Sequence, residues 1–81
     1  MVEIHATNYA SFAYTVNAED TTAIDVQFVT SSGTIINTNE LAIFVSGGTF
    51  AIDSDTQVVT VTPASAGKVS VFAVKTFPVA E

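Results

Sequence analysis

The chain has 81 residues, a net charge of −6 at neutral pH and no cysteine, and Lys68 and Lys75 are its only basic side chains. Two lysines among eight carboxylates argue against binding to nucleic acids or anionic membranes, because both require many positive charges. Without cysteine, neither a disulfide nor a thiolate metal site stabilises the fold, which favours folding in a reducing compartment. Basic partners and cations stay possible.

The first half of the chain alternates apolar and polar residues, which predicts β-strands with one wet face. The alternation runs through residues 2–6, 12–16 and 24–28, and polar turns follow at 17–22 and 31–33. Leu41 is the only leucine, whereas valine, threonine and isoleucine are abundant. This composition favours strands over helices, so we expect almost no helix.

The middle of the chain predicts two further strands joined by glycines. A short apolar run at 34–37 and a turn at 38–40 lead into the apolar segment 41–45. Gly47 and Gly48 then predict a tight hairpin into residues 49–53, because glycine adopts positive φ without steric penalty.

The last two segments, 57–62 and 68–77, are rich in β-branched and aromatic residues and are separated by a break at 63–67. They predict a hairpin with a five-residue loop. The second strand is apolar on both faces, with Val69, Val71 and Ala73 on one and Phe72 and Val74 on the other. Such a strand requires cover on both sides.

Short strands with turn signals about every 8–12 residues predict an all-β fold, a single antiparallel β-sandwich of seven or eight strands, with a small barrel as the alternative. We expect one domain over residues 1–81. Its predicted core contains Ile24, Val26, Phe28, Ile43, Val59, Val61 and Val71.

The strand number, the spacing and the long final strand over residues 69–77 resemble immunoglobulin-like sandwich modules. A small, acidic, cysteine-free module of this kind also resembles the decoration (cement) proteins of tailed-phage capsids. The antibody-type Cys…Trp…Cys signature is absent, since the chain has neither residue type. The resemblance to decoration proteins implies a virion protein, made in the host cytoplasm, that docks in many copies onto a major capsid protein or onto itself.

Candidate chemical sites are few, and we predict no catalytic residue, no cofactor and no metal. His5 is the only histidine and lacks a neighbouring nucleophile or acid, so we expect it to be exposed or to face a partner. Asp53 and Asp55 flank Ser54 as in a capped turn, and the other ligands of a calcium loop are missing. Three aromatic residues, Tyr9, Phe12 and Tyr14, are the candidates for a sugar-binding platform.

The sequence thus predicts a non-enzymatic structural protein, with a carbohydrate- or cell-surface-ligand-binding module as the alternative. Its predicted protein interface is an apolar patch of Phe72, Val74, Phe77 and Val79, unless a bulge near Phe72 turns part of it inward. No secretory signal or membrane span is expected. The alternative locations to a virion are the cytoplasm and the cell surface.

Overall fold

The computed structural model describes residues 1–6 and 11–75, which form seven β-strands. A turn of 3₁₀ helix over Thr38–Glu40 leads into the fourth strand, and these residues contain no α-helix. The strands are β1 (Val2–His5), β2 (Ser11–Ala18), β3 (Ile24–Val29), β4 (Leu41–Ser46), β5 (Gly48–Asp53), β6 (Val58–Pro63) and β7 (Gly67–Lys75).

The strands form two sheets in a sandwich-like arrangement. One sheet has four strands in the order β1-β3-β6-β5, and the other has three in the order β2-β7-β4. All pairs are antiparallel except β1 and β3, which run parallel with Ile4 beside Phe28. The predicted all-β class is confirmed, but the sheets are not purely antiparallel.

The core lies between the two sheets and is filled by the inward residues of both. Phe12 of β2 and Phe28 of β3 meet edge to face, with ring centroids 5.3 Å apart, and so join the sheets across the interior. Five of the seven predicted core residues are fully buried, while Ile24 and Ile43 are half-buried and pack against the cluster. The remaining buried members are Ile4, Ile36, Val69 and Ala73.

The hairpin predicted from residues 57–62 and 68–77 is wrong. β6 pairs with β3 and β5, whereas β7 pairs with β2 and β4 in the other sheet. The segment between them is therefore an arch that carries the chain from one sheet to the other. Both strands bury one apolar face in the shared core. They therefore pack against each other across the core and are not hydrogen-bonded side by side.

The hairpin predicted at Gly47 and Gly48 is also wrong, since β4 and β5 belong to different sheets. Of the two glycines only Gly47 has positive φ, +88°, whereas a type I′ hairpin turn needs positive φ at both central residues. A Cβ on Gly47 would lie 2.6 Å from the carbonyl oxygen of Lys68, and one on Gly48 would collide with the carbonyl oxygen of Thr62. Glycine is needed at both positions because a neighbouring backbone segment passes too close to leave room for a Cβ atom.

The only hairpin in the described part of the four-stranded sheet joins β5 to β6, and Gln57 fixes it. Gln57 has a φ of +61° and donates its backbone N–H to the carbonyl of Asp53 at 2.8 Å. Its side-chain Oε1 accepts hydrogen bonds from the backbone N–H and the hydroxyl of Thr38, at 2.6 and 2.8 Å, and its Nε2 donates to the carbonyl of Ser54 at 2.6 Å. One glutamine thus ties this turn to the segment that enters β4.

Candidate functional site

The candidate site is the outer face of the three-stranded sheet, which we call the docking face. Because side chains alternate along a strand, burial of Val69, Val71 and Ala73 turns Phe72 and Val74 away from the core. The expected outward direction of these two residues is confirmed. Phe72 is 46% exposed and Val74 is 49% exposed, so both residues are open to solvent.

Strand register brings further apolar side chains beside these two. Phe72 lies between Ala13 of β2 and Phe44 of β4, and Val74 has Ala42 as its β4 neighbour. Phe44 is 59% exposed, the most of the three large side chains on this face. The result is a contiguous apolar surface at one end of the sheet, with two aromatic rings on directly paired positions.

The bulge considered near Phe72 does not occur. β7 pairs residue for residue with β2 from Gly67 to Val74 and with β4 from Ser70 to Lys75. A bulge would place two residues of one strand opposite one residue of the other. Since the register is unbroken on both sides of β7, its two faces stay distinct along its whole length.

The other end of the docking face is polar. Thr15 and Ser70 face each other there, with their hydroxyl oxygens 3.2 Å apart, and Ser46 is the β4 neighbour of Ser70. Lys68 and Asn17 form the next row. The face thus combines an apolar half with a hydrogen-bonding half, the composition of the core and rim of a protein interface.

Charge is nearly absent from the apolar half. Lys75 follows Val74 but lies on the same side of β7 as the buried Val71 and Ala73. Its side chain is only 11% exposed, and its Nζ bonds Glu40 Oε1 at 2.7 Å. This ion pair joins the end of β7 to the 3₁₀ turn before β4 and neutralises both groups. Of the docking-face residues, Lys68 is the only one with a charged side chain, and it lies at the polar end.

Phe77 and Val79, the other two predicted interface residues, lie outside the described residues, as does Tyr9. Sequence reasoning missed Phe44 as a member of the face. The signal was present, because residues 41–45 are apolar at every position, as are residues 71–74 of β7. The pattern of apolar residues on both faces, which marks β7 in the sequence, therefore also marks β4.

The remaining candidate residues do not lie together in one site. His5 is exposed on the edge strand β1, as predicted. Asp53 Oδ1 accepts the backbone N–H of Asp55 at 2.9 Å, which confirms the capped turn. In residues 1–6 and 11–75 no three histidine or acidic side chains are grouped to hold a metal ion.

Asp20 lies at the opposite end of the sandwich from Asp53, because the β2–β3 connection meets the ends of the sheets where β5 begins. The hydroxyl and the backbone N–H of Thr22 both hydrogen-bond its carboxylate and lower the pKa of Asp20. This carboxylate therefore caps its own turn. The two acidic turns form no common site.

Of the three candidates for a sugar-binding platform, Phe12 is 1% exposed in the core, and Tyr14 is half-buried and packs against that core. Tyr9 lies outside the described residues. An open depression of about 330 Å³ lies along the β2–β3 connection, from Val16 to Ile24, and has no aromatic lining residue. Within the described ranges, no helix has the length and apolar character to cross a bilayer.

Comparison of the chain with protein-family models, with curated proteins and with solved structures finds no match.

Proposed function

We propose that this chain is a non-enzymatic structural protein that docks onto other protein chains through the docking face. The observation that carries this proposal is the exposed apolar surface of Phe44, Phe72 and Val74 on a sheet whose central strand is paired on both sides without a bulge. Large contiguous apolar patches are uncommon on the free surface of soluble proteins and mark interaction sites. A rigid sheet loses little conformational entropy when such a patch is covered.

The chemistry of the face favours a protein partner. Aromatic side chains are enriched at the centres of protein interfaces and charged ones are depleted, as in the apolar half of this face. The net charge of −6 and the single lysine on the face oppose a polyanionic partner.

We further propose that the partner is a repeating protein surface, with the major capsid protein of a virion as the leading candidate and other copies of this chain as the second. The support is a small, acidic, cysteine-free fold with one apolar face, which suits a module made in the host cytoplasm and added to a lattice. Location in a virion belongs to the same proposal.

An immunoglobulin-like arrangement is part of the proposal. Constant-type domains have the strand orders A-B-E-D and C-F-G. The order β1-β3-β6-β5 follows the first, and the neighbours β4 and β7 take the places of C and F. The chain departs from this pattern where β2, which precedes β3, occupies the place of G, and where β1 is parallel to β3.

Photo-crosslinking from the docking face tests the proposal. A photoreactive phenylalanine analogue replaces Phe72, or Phe44, in cells that produce the chain, and Thr15 at the polar end of the same face is the control position. We expect discrete crosslinks to protein from both aromatic positions, and loss of the crosslink from position 44 when Phe72→Ser is added. The proposal is wrong if positions 72 and 44 give no more protein crosslinks than position 15 while the chain is folded.

A further inference from the structure

Lys68 is the only exposed lysine or arginine, because the chain has one other, Lys75, which is 11% exposed and paired with Glu40. Lys68 adjoins the buried Val69 on β7, so its side chain extends from the docking face. It forms no ion pair with any carboxylate of the described residues. Along the strand its Cα lies about 13 Å from that of Phe72. A single cation therefore stands at one end of a face whose other end is apolar.

The acidic side chains lie on the other surfaces of the molecule. All carboxylates except Glu81 belong to the described residues, and none of these is on the docking face. Glu40 is paired with Lys75. The others lie on the outer face of the four-stranded sheet (Glu3, Asp25 and Asp53) or in the connections that follow β2 and β5 (Glu19, Asp20 and Asp55). The docking face is thus the least negative side of a chain with a net charge of −6.

This distribution decides which charge on a partner suits the face. The ammonium group of a lysine has three hydrogen-bond donors and no acceptor, so in an interface it needs acceptors from the partner. Complementary charges across an interface steer association and fix its register, whereas like charges placed together exclude wrong partners. A carboxylate on the partner is repelled by the acidic surfaces of this chain and attracted at Lys68.

We propose that Lys68 pairs with a carboxylate of a different protein chain and so fixes the direction in which the docking face lies on it. The inference rests on the proposed function and names the chemistry of its partner. That partner offers an apolar depression for Phe44 and Phe72, and an aspartate or glutamate about 13 Å from the site that receives Phe72. The apolar half supplies most of the affinity, and Lys68 determines specificity.

A second copy of this chain does not supply the carboxylate in a two-fold dimer. Such a dimer uses the same face of both chains, and the described docking face has no acidic residue that could meet Lys68. Two copies also carry a charge of −6 each, which opposes their association. Of the two partners proposed above, the charges therefore favour a different protein.

Zero-length crosslinking of the captured complex tests the pairing. The complex is first captured in cells through the photoreactive analogue at position 72 and is then purified. A carbodiimide activates carboxylates, and an activated carboxylate that touches a lysine amine forms an amide with it. Lys75 and Glu40, whose Nζ and Oε1 atoms are 2.7 Å apart, should be joined within the chain and so report that the reagent has worked. We expect a further bond from Lys68 to an aspartate or glutamate of the same captured protein, located by peptide mapping.

Charge variants measure the effect on docking. Lys68→Gln should lower the yield of crosslinks from position 72 about two- to fivefold, the range for an ion pair that stays in contact with water. Lys68→Arg should keep the yield, and Lys68→Glu should lower it further because it sets like charges against each other. Thr62→Glu, on the outer face of the four-stranded sheet, is the matched control, since it changes the net charge by the same amount as Lys68→Gln. Thermal melts verify that every variant is folded.

The inference is overturned if the complex gives the bond between Lys75 and Glu40 but none from Lys68, or if Lys68→Gln and Thr62→Glu change the yield equally. A bond from Lys68 to a carboxylate of another copy of this chain also overturns it and would place the copies head to tail. In all these cases positions 72 and 44 still give discrete protein crosslinks, so the proposed function stands. If those two positions give none while the chain is folded, the proposed function fails and the inference fails with it.

Discussion

Phe28→Ala should be among the most destabilising single substitutions in this protein. Phe28 is completely buried, and its ring meets that of Phe12 edge to face at 5.3 Å. It lies on β3, between β1 and β6, and reaches across the core to the other sheet. Its removal leaves a cavity at this ring contact between the two sheets.

The cost follows from burial and from size. Truncation of a buried phenylalanine costs about 3–5 kcal/mol, and the lost edge-to-face contact contributes about 0.5–1.5 kcal/mol of that. A domain of 81 residues has a total stability of about 4–12 kcal/mol. The substitution therefore removes between about a quarter and all of the stability. Phe28→Leu, which keeps most of the volume, should cost less than about 1.5 kcal/mol.

Urea denaturation followed by circular dichroism measures the effect. The control is Phe72→Ala, which removes the same ring from a position 46% exposed and should cost less than about 1.5 kcal/mol. Phe28→Ala should lower the midpoint severalfold more than the control, with an unchanged slope if unfolding stays two-state. Equal losses at positions 28 and 72 would refute the assignment of the core and with it the direction of the docking face.

Two further predictions concern turns. Gln57→Ala should cost about 2–3 kcal/mol, because it leaves the buried N–H and hydroxyl of Thr38 without their acceptor. Gln27→Ala, which removes one exposed hydrogen bond of 3.1 Å, should cost less than about 1 kcal/mol in the same urea titration, and equal costs would contradict this role of Gln57. Gly47→Ala should lower the melting temperature more than Gly33→Ala does. Both glycines have positive φ, but an added Cβ meets a carbonyl oxygen at 2.6 Å only at Gly47, so similar melts would show that the corner can relax.

Alternation of apolar and polar residues predicted the faces of the strands but not their partners. Val59, Val61 and Val71 were expected in the core and are buried there, because a period of two is a local property of the chain. The choice between a hairpin and an arch at residues 63–67 is not local. A hairpin and an arch both reverse the chain and keep the same side chains inward. They differ in whether β7 hydrogen-bonds to β6 or to strands of the other sheet.

The candidate site was predicted in part for the same reason. Phe72 and Val74 follow from the pattern of one strand, whereas the addition of Phe44 requires knowledge that β4 lies beside β7. The exposure of Phe50 and Ile52 is even harder to predict from the sequence. Their pattern is that of core residues, and their exposure results from unequal numbers of strands in the two sheets, which no local stretch of sequence specifies.

The pairing of β2 with β7 has a consequence for the order of events during synthesis. Thr15 and Ser70 are neighbours in the sheet but 55 residues apart in the chain, and β7 is the strand that joins β2 to β4. Until β7 has left the ribosome, neither of these strands has its partner, and Phe12 has no completed sheet around it. Contacts this distant in sequence are typical of slow-folding β proteins. Nascent chains thus pass through a stage with two unpaired apolar strands, when binding by a chaperone protects them most from aggregation.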